Sequence, residues 1–212
     1  MGNLRTFGGY AGIYMGAAYA VAIVIFLVVL DYPNMVDPAD KVGLLARSGG
    51  MIWASNLLLY VAFSPVLVVF TLAVFDLVQD AVALSRLGRA MGLIWAGLLI
   101  ASGLIANAAI GPITALLATD EAAAIALWSA TDAVANGLGG GAGEVAGGLM
   151  TALFSLAGAR SGALPRVLAW LGFVVGALGL ISALPGLGDI GALFGLAQIP
   201  WFIWVGIMLI RS

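Results

Sequence analysis

Arg89-AMGLIWAGLLIASGLIANAAIGPITALLAT-Asp120 encloses 30 consecutive uncharged residues, 90–119, and this stretch decides the fold. About 20 apolar residues suffice to cross a bilayer as a helix. Four more windows clear that threshold. Arg5 to Asp31 encloses 25 uncharged residues, Arg47 to Asp76 encloses 28, Arg166 to Asp189 encloses 22, and Asp189 to Arg211 encloses 21. The reading is all-α: a polytopic transmembrane helical bundle, with six membrane spans and short interfacial helices, in one domain over residues 1–212.

Composition supports the same class. The chain is 63% hydrophobic and 8% charged, against roughly 25% charged in soluble domains. Its mean hydropathy is +1.16. The net charge of −2 is small and no basic tract occurs, which argues against a nucleic-acid partner. Cysteine and histidine are absent. Disulfides, Cys-ligated iron–sulfur clusters and His- or Cys-ligated haem are thereby excluded. The single lysine, Lys41, falls in a hydrophilic stretch, so Schiff-base retinal has no amine inside the membrane. No cofactor is expected, and bound lipid is.

Along the chain, span 1 covers residues 9–30. Ala18-Tyr19-Ala20 has the small-x-small form of a cleavage site, but the apolar run continues to Leu30, longer than a signal h-region. It is read as a retained span. Asp37 and Pro38 are placed as the cap and first residue of a surface helix over 38–47. Span 2 covers 51–75. Pro65 is expected to kink it, with Ser64 partly repairing the lost bond. Span 3 covers 90–116.

Residues 121–158 admit two layouts. An interfacial helix over 121–136 followed by a glycine-rich span over 139–158 is preferred to one long bent helix, because Asn136-Gly137 and Gly139-Gly140-Gly141 are poor helix material. Span 5 covers 164–184 and span 6 covers 190–210. Arg5, Arg86, Arg89, Arg160, Arg166 and Arg211 then fall on one side, against Lys41 and Arg47 on the other. The bias places both termini in the cytoplasm.

Small residues recur at helical spacing. Gly8, Gly12 and Gly16 form one ridge, Gly139, Gly143 and Gly147 a second, and Gly172 and Gly176 mark span 5. Such ridges let helices approach closely in lipid, within this chain or against another subunit. The candidate intramembrane polar residues are Glu144, Asn107, Asn56 and Gln198; the three amides either line a polar pocket with Glu144 or, the commoner case, make interhelical hydrogen bonds. Glu144 has 11 uncharged residues before it and 15 after it. Inside hydrocarbon it must be protonated, paired or turned to a polar cavity. Near the outer interface it is simply solvated. Asp132 is read as interfacial, and Asp76 and Asp80 as partners of Arg86 or Arg89. Trp128 and Trp201 are assigned to interfaces, with Trp170 and Trp204 deeper.

The stretch 160–172, RSGALPRVLAWLG, carries a resemblance. It is similar to the Arg-Ser-Gly-x-Leu-Pro-Arg-x-Leu-Gly-like turn before the fifth helix of the bacterial six-helix membrane proteins grouped as the DUF4386 family. The layout is similar too: an N-terminal span, an acidic loop and a Trp-rich last helix. The chain differs where Ala135-Asn136-Gly137-Leu138-Gly139 replaces a His-containing stretch. The resemblance implies six spans in a bacterial cytoplasmic (inner) membrane and transfers no catalytic residue.

No HExxH, P-loop or Ser-His-Asp set is present. Asp132 and Glu144 form the sole acid pair available for a lipid-directed enzyme, 12 residues apart. The expected function is a non-catalytic accessory or assembly subunit that packs against protein, lipid or pigment. Its setting is membrane lipid and a larger membrane complex or homo-oligomer. The alternative is a small transporter or channel with a polar path near Glu144, Asn107 and Asn56.

Overall fold

The computed structural model describes residues 2–139, 144–188 and 190–212. Among these the chain is all helical. Helix α1 spans Gly2–Ile23 and runs into a π segment, Val24–Val29. Helix α2 (Pro38–Asn56), a second π segment (Leu57–Ala62) and α3 (Phe63–Val78) follow as one long run. Then come α4 (Val82–Leu117), α5 (Glu121–Leu138), α6 (Val145–Ser161), α7 (Arg166–Ile181) and α8 (Ile190–Arg211).

Local chemistry sets these boundaries. The Asp37 carboxylate accepts from the Ala39 amide at 2.9 Å, with Pro38 at the first helical position. Asp120 caps α5 in the same way, through Ala123 N–H at 3.0 Å. Helix α2 breaks its geometry at Ser48 (φ −130°), so the expected surface helix over 38–47 ends there. Pro65 cannot donate to the Val61 carbonyl. The winding loosens to a π segment just upstream, and Ser64 Oγ donates to the Tyr60 carbonyl at 2.6 Å. Gly139 ends α5 at φ +136°, a conformation that other residues rarely adopt. The split layout of 121–158 is therefore the one adopted.

Four helical runs are long and apolar enough to cross a membrane: Asn3–Val29, Pro38–Val78, Val82–Leu117 and Ile190–Arg211. Helices α6 and α7 have 17 and 16 residues, short of the threshold. The expectation of six spans is thus met for four. The fourth expected span begins only at Val145, because Gly139 belongs to a turn. The fifth is clipped by Pro165 before it and by the turns after Ile181.

Six helical segments share one core, made by Met15, Phe63, Phe70, Trp95, Phe154 and Phe202 among others, all essentially buried. Helix α1 lies antiparallel to α3 and α8. Arg5 Nη2 donates to the Asp76 carbonyl at 3.1 Å at one end, and Tyr19 stacks on Phe63 with ring centres 5.2 Å apart toward the other. A second core (Leu30, Val42, Leu45, Ile52, Ile113, Ala124) lies where α2, the C-terminal part of α4 and α5 meet. Lys41 sits there on a helix, 4.6 Å from the Tyr32 ring centre and 5.4 Å from that of Trp128. Asp132 accepts from Asn136 at 2.8 Å in the same cluster. Burial pushes its carboxyl up, while the Lys41 charge and the Asn136 amide pull it down.

The glycine ridges are used inside the chain. A Cβ on Gly12 would lie 2.7 Å from the Phe202 carbonyl oxygen and 3.0 Å from Phe70. Gly8 meets Ala73, Gly16 meets Ile203, and Gly147 meets the Trp95 ring. Gly172 meets Ser155 and Trp201, and Gly176 meets Gly148. Gly139 is a turn residue and not part of a helical ridge, and Gly143 lies outside the described residues. Other placements also differ from expectation. Trp201 is a core residue of the bundle. No ion pair joins Asp76 or Asp80 to an arginine among the described residues, and Arg89 lies over the Phe75 ring at 5.2 Å.

Gly12→Leu is expected to lower the thermal unfolding midpoint of the purified protein. Its side chain has no room between α1 and α8, and the loss should reach or exceed the roughly 1–3 kcal/mol typical of overpacking. Gly97→Leu, at a glycine with open space around it, should change the midpoint little.

Candidate functional site

Glu144 is the residue immediately before α6 and is only 7% exposed. Its surroundings hold it on three sides. Trp95 Nε1–H, from the middle of α4, donates to Glu144 Oε2 at 3.1 Å. The Glu144 backbone N–H donates to Ser182 Oγ at 3.3 Å, and the Ser182 hydroxyl donates in turn to the Gly179 carbonyl at 2.7 Å. The Glu144 carbonyl accepts from Gly148 N–H at 2.8 Å, closing the first turn of α6. The sequence left Glu144 open between an interfacial and a buried place; the structure buries it.

Glu144 lines a cavity of about 250 Å³. The wall is mostly apolar and comes from five directions. Tyr19, Ala22, Phe26 and Leu27 come from α1 and its π segment, and Leu59 and Tyr60 from the second π segment. Leu99 comes from α4, Gly139 from the end of α5, and Gly191, Phe194, Gly195 and Leu196 from α8. Leu27 and Leu196 are each about half exposed, which places the mouth between the end of α1 and the start of α8. Both π segments reach this wall. Such segments recur at functional sites because they re-aim side chains without ending the helix.

The four candidate polar residues do not converge. Asn56 Nδ2 donates to Asn107 Oδ1 at 3.0 Å, and Asn107 Nδ2 to the Trp53 carbonyl at 3.2 Å. That pair joins α2 to α4. Asn107 follows Trp95 by twelve residues on one helix, roughly 18 Å along its axis. Gln198 Nε2 donates to Thr151 Oγ1 at 3.0 Å, two turns of α6 below Glu144. One turn further, Trp201 Nε1–H donates to Ser155 Oγ at 3.2 Å. Asn56 and Asn107 thus bond to each other, and Glu144 to Trp95. Amide pairs of this kind join helices for about 1 kcal/mol each.

Sequence reading missed Trp95, Ser182, Tyr19 and Tyr60. Trp95 carried a signal: an indole N–H in mid-span needs an acceptor, and Glu144 is the strongest one within an apolar neighbourhood. The aromatic set around it had none, because its members come from four separate segments. Among the described residues no cluster of Asp and Glu is suited to a metal ion.

Comparison with known proteins finds no matching family model, no similar curated protein and no similar solved structure. The resemblance to the DUF4386 family rests on the 160–172 stretch. There the structure shows a helix–turn–helix, with Gly162 at φ +73°, Leu164 N–H donating to the Gly158 carbonyl at 3.1 Å, and Pro165 before α7.

Trp95→Phe removes the donor from a buried carboxyl. The expected loss is roughly 1–3 kcal/mol of stability, read as a lower unfolding midpoint. In a double-mutant cycle with Glu144→Leu, which has no acceptor, the two losses should fall short of additivity by more than about 0.5 kcal/mol. Additive losses would show that the indole and carboxyl do not interact.

Proposed function

We propose that this chain is a non-catalytic integral membrane protein of six spans whose cavity beside Glu144 holds the apolar part of a lipid-like amphiphile. The observation that carries the reading is the cavity itself. It is mostly apolar, has a single buried carboxylate among its described lining residues, and opens between two helices whose outward faces are apolar. Val28 is 74% exposed and Leu193 53% exposed beside the mouth, so a hydrocarbon chain enters without crossing water. Cavities of this composition, with few polar groups fixing orientation, are the usual form of small-molecule sites.

Packing supports the reading of six spans: α6 and α7 are short, but α6 packs against α4 and α7 against α8, both long and apolar, on the shared core. Helix α4, with 36 residues, is roughly 54 Å long against about 30 Å of hydrocarbon. Its C-terminal part therefore stands beyond the bilayer with α2 and α5, and the second core belongs to that outer layer. The six-to-two arginine and lysine bias assigns the end bearing Arg5, Arg160 and Arg211 to the cytoplasm, and a bacterial inner membrane suits the 160–172 resemblance. We read the chain as an accessory subunit: its glycine faces are filled by its own helices, which leaves lipid contacts as its surface. The separation of the polar pairs weighs against a transport path.

Two measurements test this. The chain has no cysteine, so single cysteines report topology without background. Glu121→Cys should react with an impermeant maleimide on intact cells, and Ser212→Cys only after permeabilisation. Equal labelling would contradict the six-span arrangement. Native mass spectrometry of protein purified in mild detergent should show one retained lipid-like adduct. Gly195→Leu, which grows into open space at the cavity wall, should lose it while keeping the unfolding midpoint. Retention by this variant would place the adduct elsewhere.

A further inference from the structure

The chemistry of the wall narrows the ligand. Four aromatic side chains line the cavity: Tyr19, Phe26, Tyr60 and Phe194. A fifth, Trp95, packs behind Phe194 with ring centres 6.0 Å apart. Among the described lining residues the one acidic group is Glu144, whose Oε2 is taken by Trp95. No lysine or arginine is among the described lining residues. A carboxylate only accepts hydrogen bonds, and a buried charge is stable only when paired. Aromatic faces attract cations by their quadrupoles, and rings around an acid are the known recognition chemistry for ammonium groups. The chain already uses the same attraction at Lys41, which lies over Tyr32 and Trp128.

We propose that the amphiphile bound in this cavity carries an ammonium head, which pairs with Glu144 inside the aromatic wall. This rests on the lipid-like reading above and names its head group. Size supports it. A cavity of about 250 Å³ has room for a small head and the start of one chain. The remainder leaves past Leu27 and Leu196 into the bilayer. A phosphate would find no cationic partner on the described wall, so the head is an amine without a phosphate seated beside it.

The probes are decylamine, 1-decanol and decanoate, which share a chain length and differ in head charge. Each is titrated below its micellar range into the purified protein in maltoside micelles, with intrinsic tryptophan fluorescence and the unfolding midpoint as readouts. Decylamine should bind at least roughly tenfold tighter than decanol, the scale of one charge-assisted contact, and decanoate weakest. Glu144→Gln should bring decylamine to within about twofold of decanol and leave decanol unchanged. Phe194→Leu, which removes a ring and keeps the charge, should weaken decylamine more than decanol and guards against a Gln variant that fails to fold. Equal binding of amine and alcohol, in wild type and Glu144→Gln alike, would overturn the ammonium head and leave the lipid-like reading standing. Tightest binding by decanoate would overturn it likewise. No binding by any of the three, with no displacement of the native adduct, would overturn both. Displacement of decylamine by phosphatidylethanolamine would overturn the phosphate-free head; displacement by neither phosphatidylethanolamine nor phosphatidylglycerol would support an amine without a phosphate.

Discussion

Helices α6 and α7 meet backbone to backbone, and the site depends on that contact. A Cβ on Gly148 would come within 2.8 Å of the Gly176 carbonyl oxygen, and one on Gly179 within 2.8 Å of the Glu144 carbonyl oxygen. Between apolar helices in lipid no hydrophobic difference drives association, so close packing must supply it. Glycine alone leaves the space. The contact fixes the first turn of α6 against the end of α7, sets Ser182 beneath the Glu144 amide, and turns the carboxyl toward Trp95. The site residue is thus positioned by residues with no side chains of their own.

That position also explains how the chain carries a buried acid. An ionisable group inside a membrane protein is costly and is retained where it faces a cavity or a partner. Glu144 has both a donor in Trp95 and open space in front of it. The other polar groups of the bundle are satisfied in place: Gln198 by Thr151, Ser155 by Trp201, and Asn56 by Asn107. They hold helices together and leave Glu144 as the group whose chemistry is not exhausted within the fold.

Much of this architecture was legible in the sequence. Charge-free windows gave the long apolar helices, because crossing a membrane demands length and apolarity that nothing else in 212 residues requires. Asp37-Pro38 read correctly as a helix start because capping is local. Span lengths were less legible. Glycines at 139–148 read alike whether they make a turn or a ridge, and only the positive φ of Gly139 separates them. The site was legible in one residue. Glu144 stood out by its isolation, whereas its partners Trp95, Tyr19 and Phe194 lie on three other helices. Uncharged aromatic residues in apolar spans look the same whether they fill a core or wall a cavity. The amides were legible too: Asn56 and Asn107 stand out by polarity, and they make the interhelical hydrogen bond that amides within spans most often make.

The most direct test is an experimental structure of the protein in a lipid nanodisc, read at the cavity between α1 and α8. The account predicts elongated density entering past Leu27 and Leu196 and ending within hydrogen-bonding distance of the Glu144 carboxyl, with Trp95 still donating to its other oxygen. A cavity closed by direct packing of α1 on α8, or a continuous water-filled path from Glu144 past Thr151 to the arginine-bearing end, would contradict it.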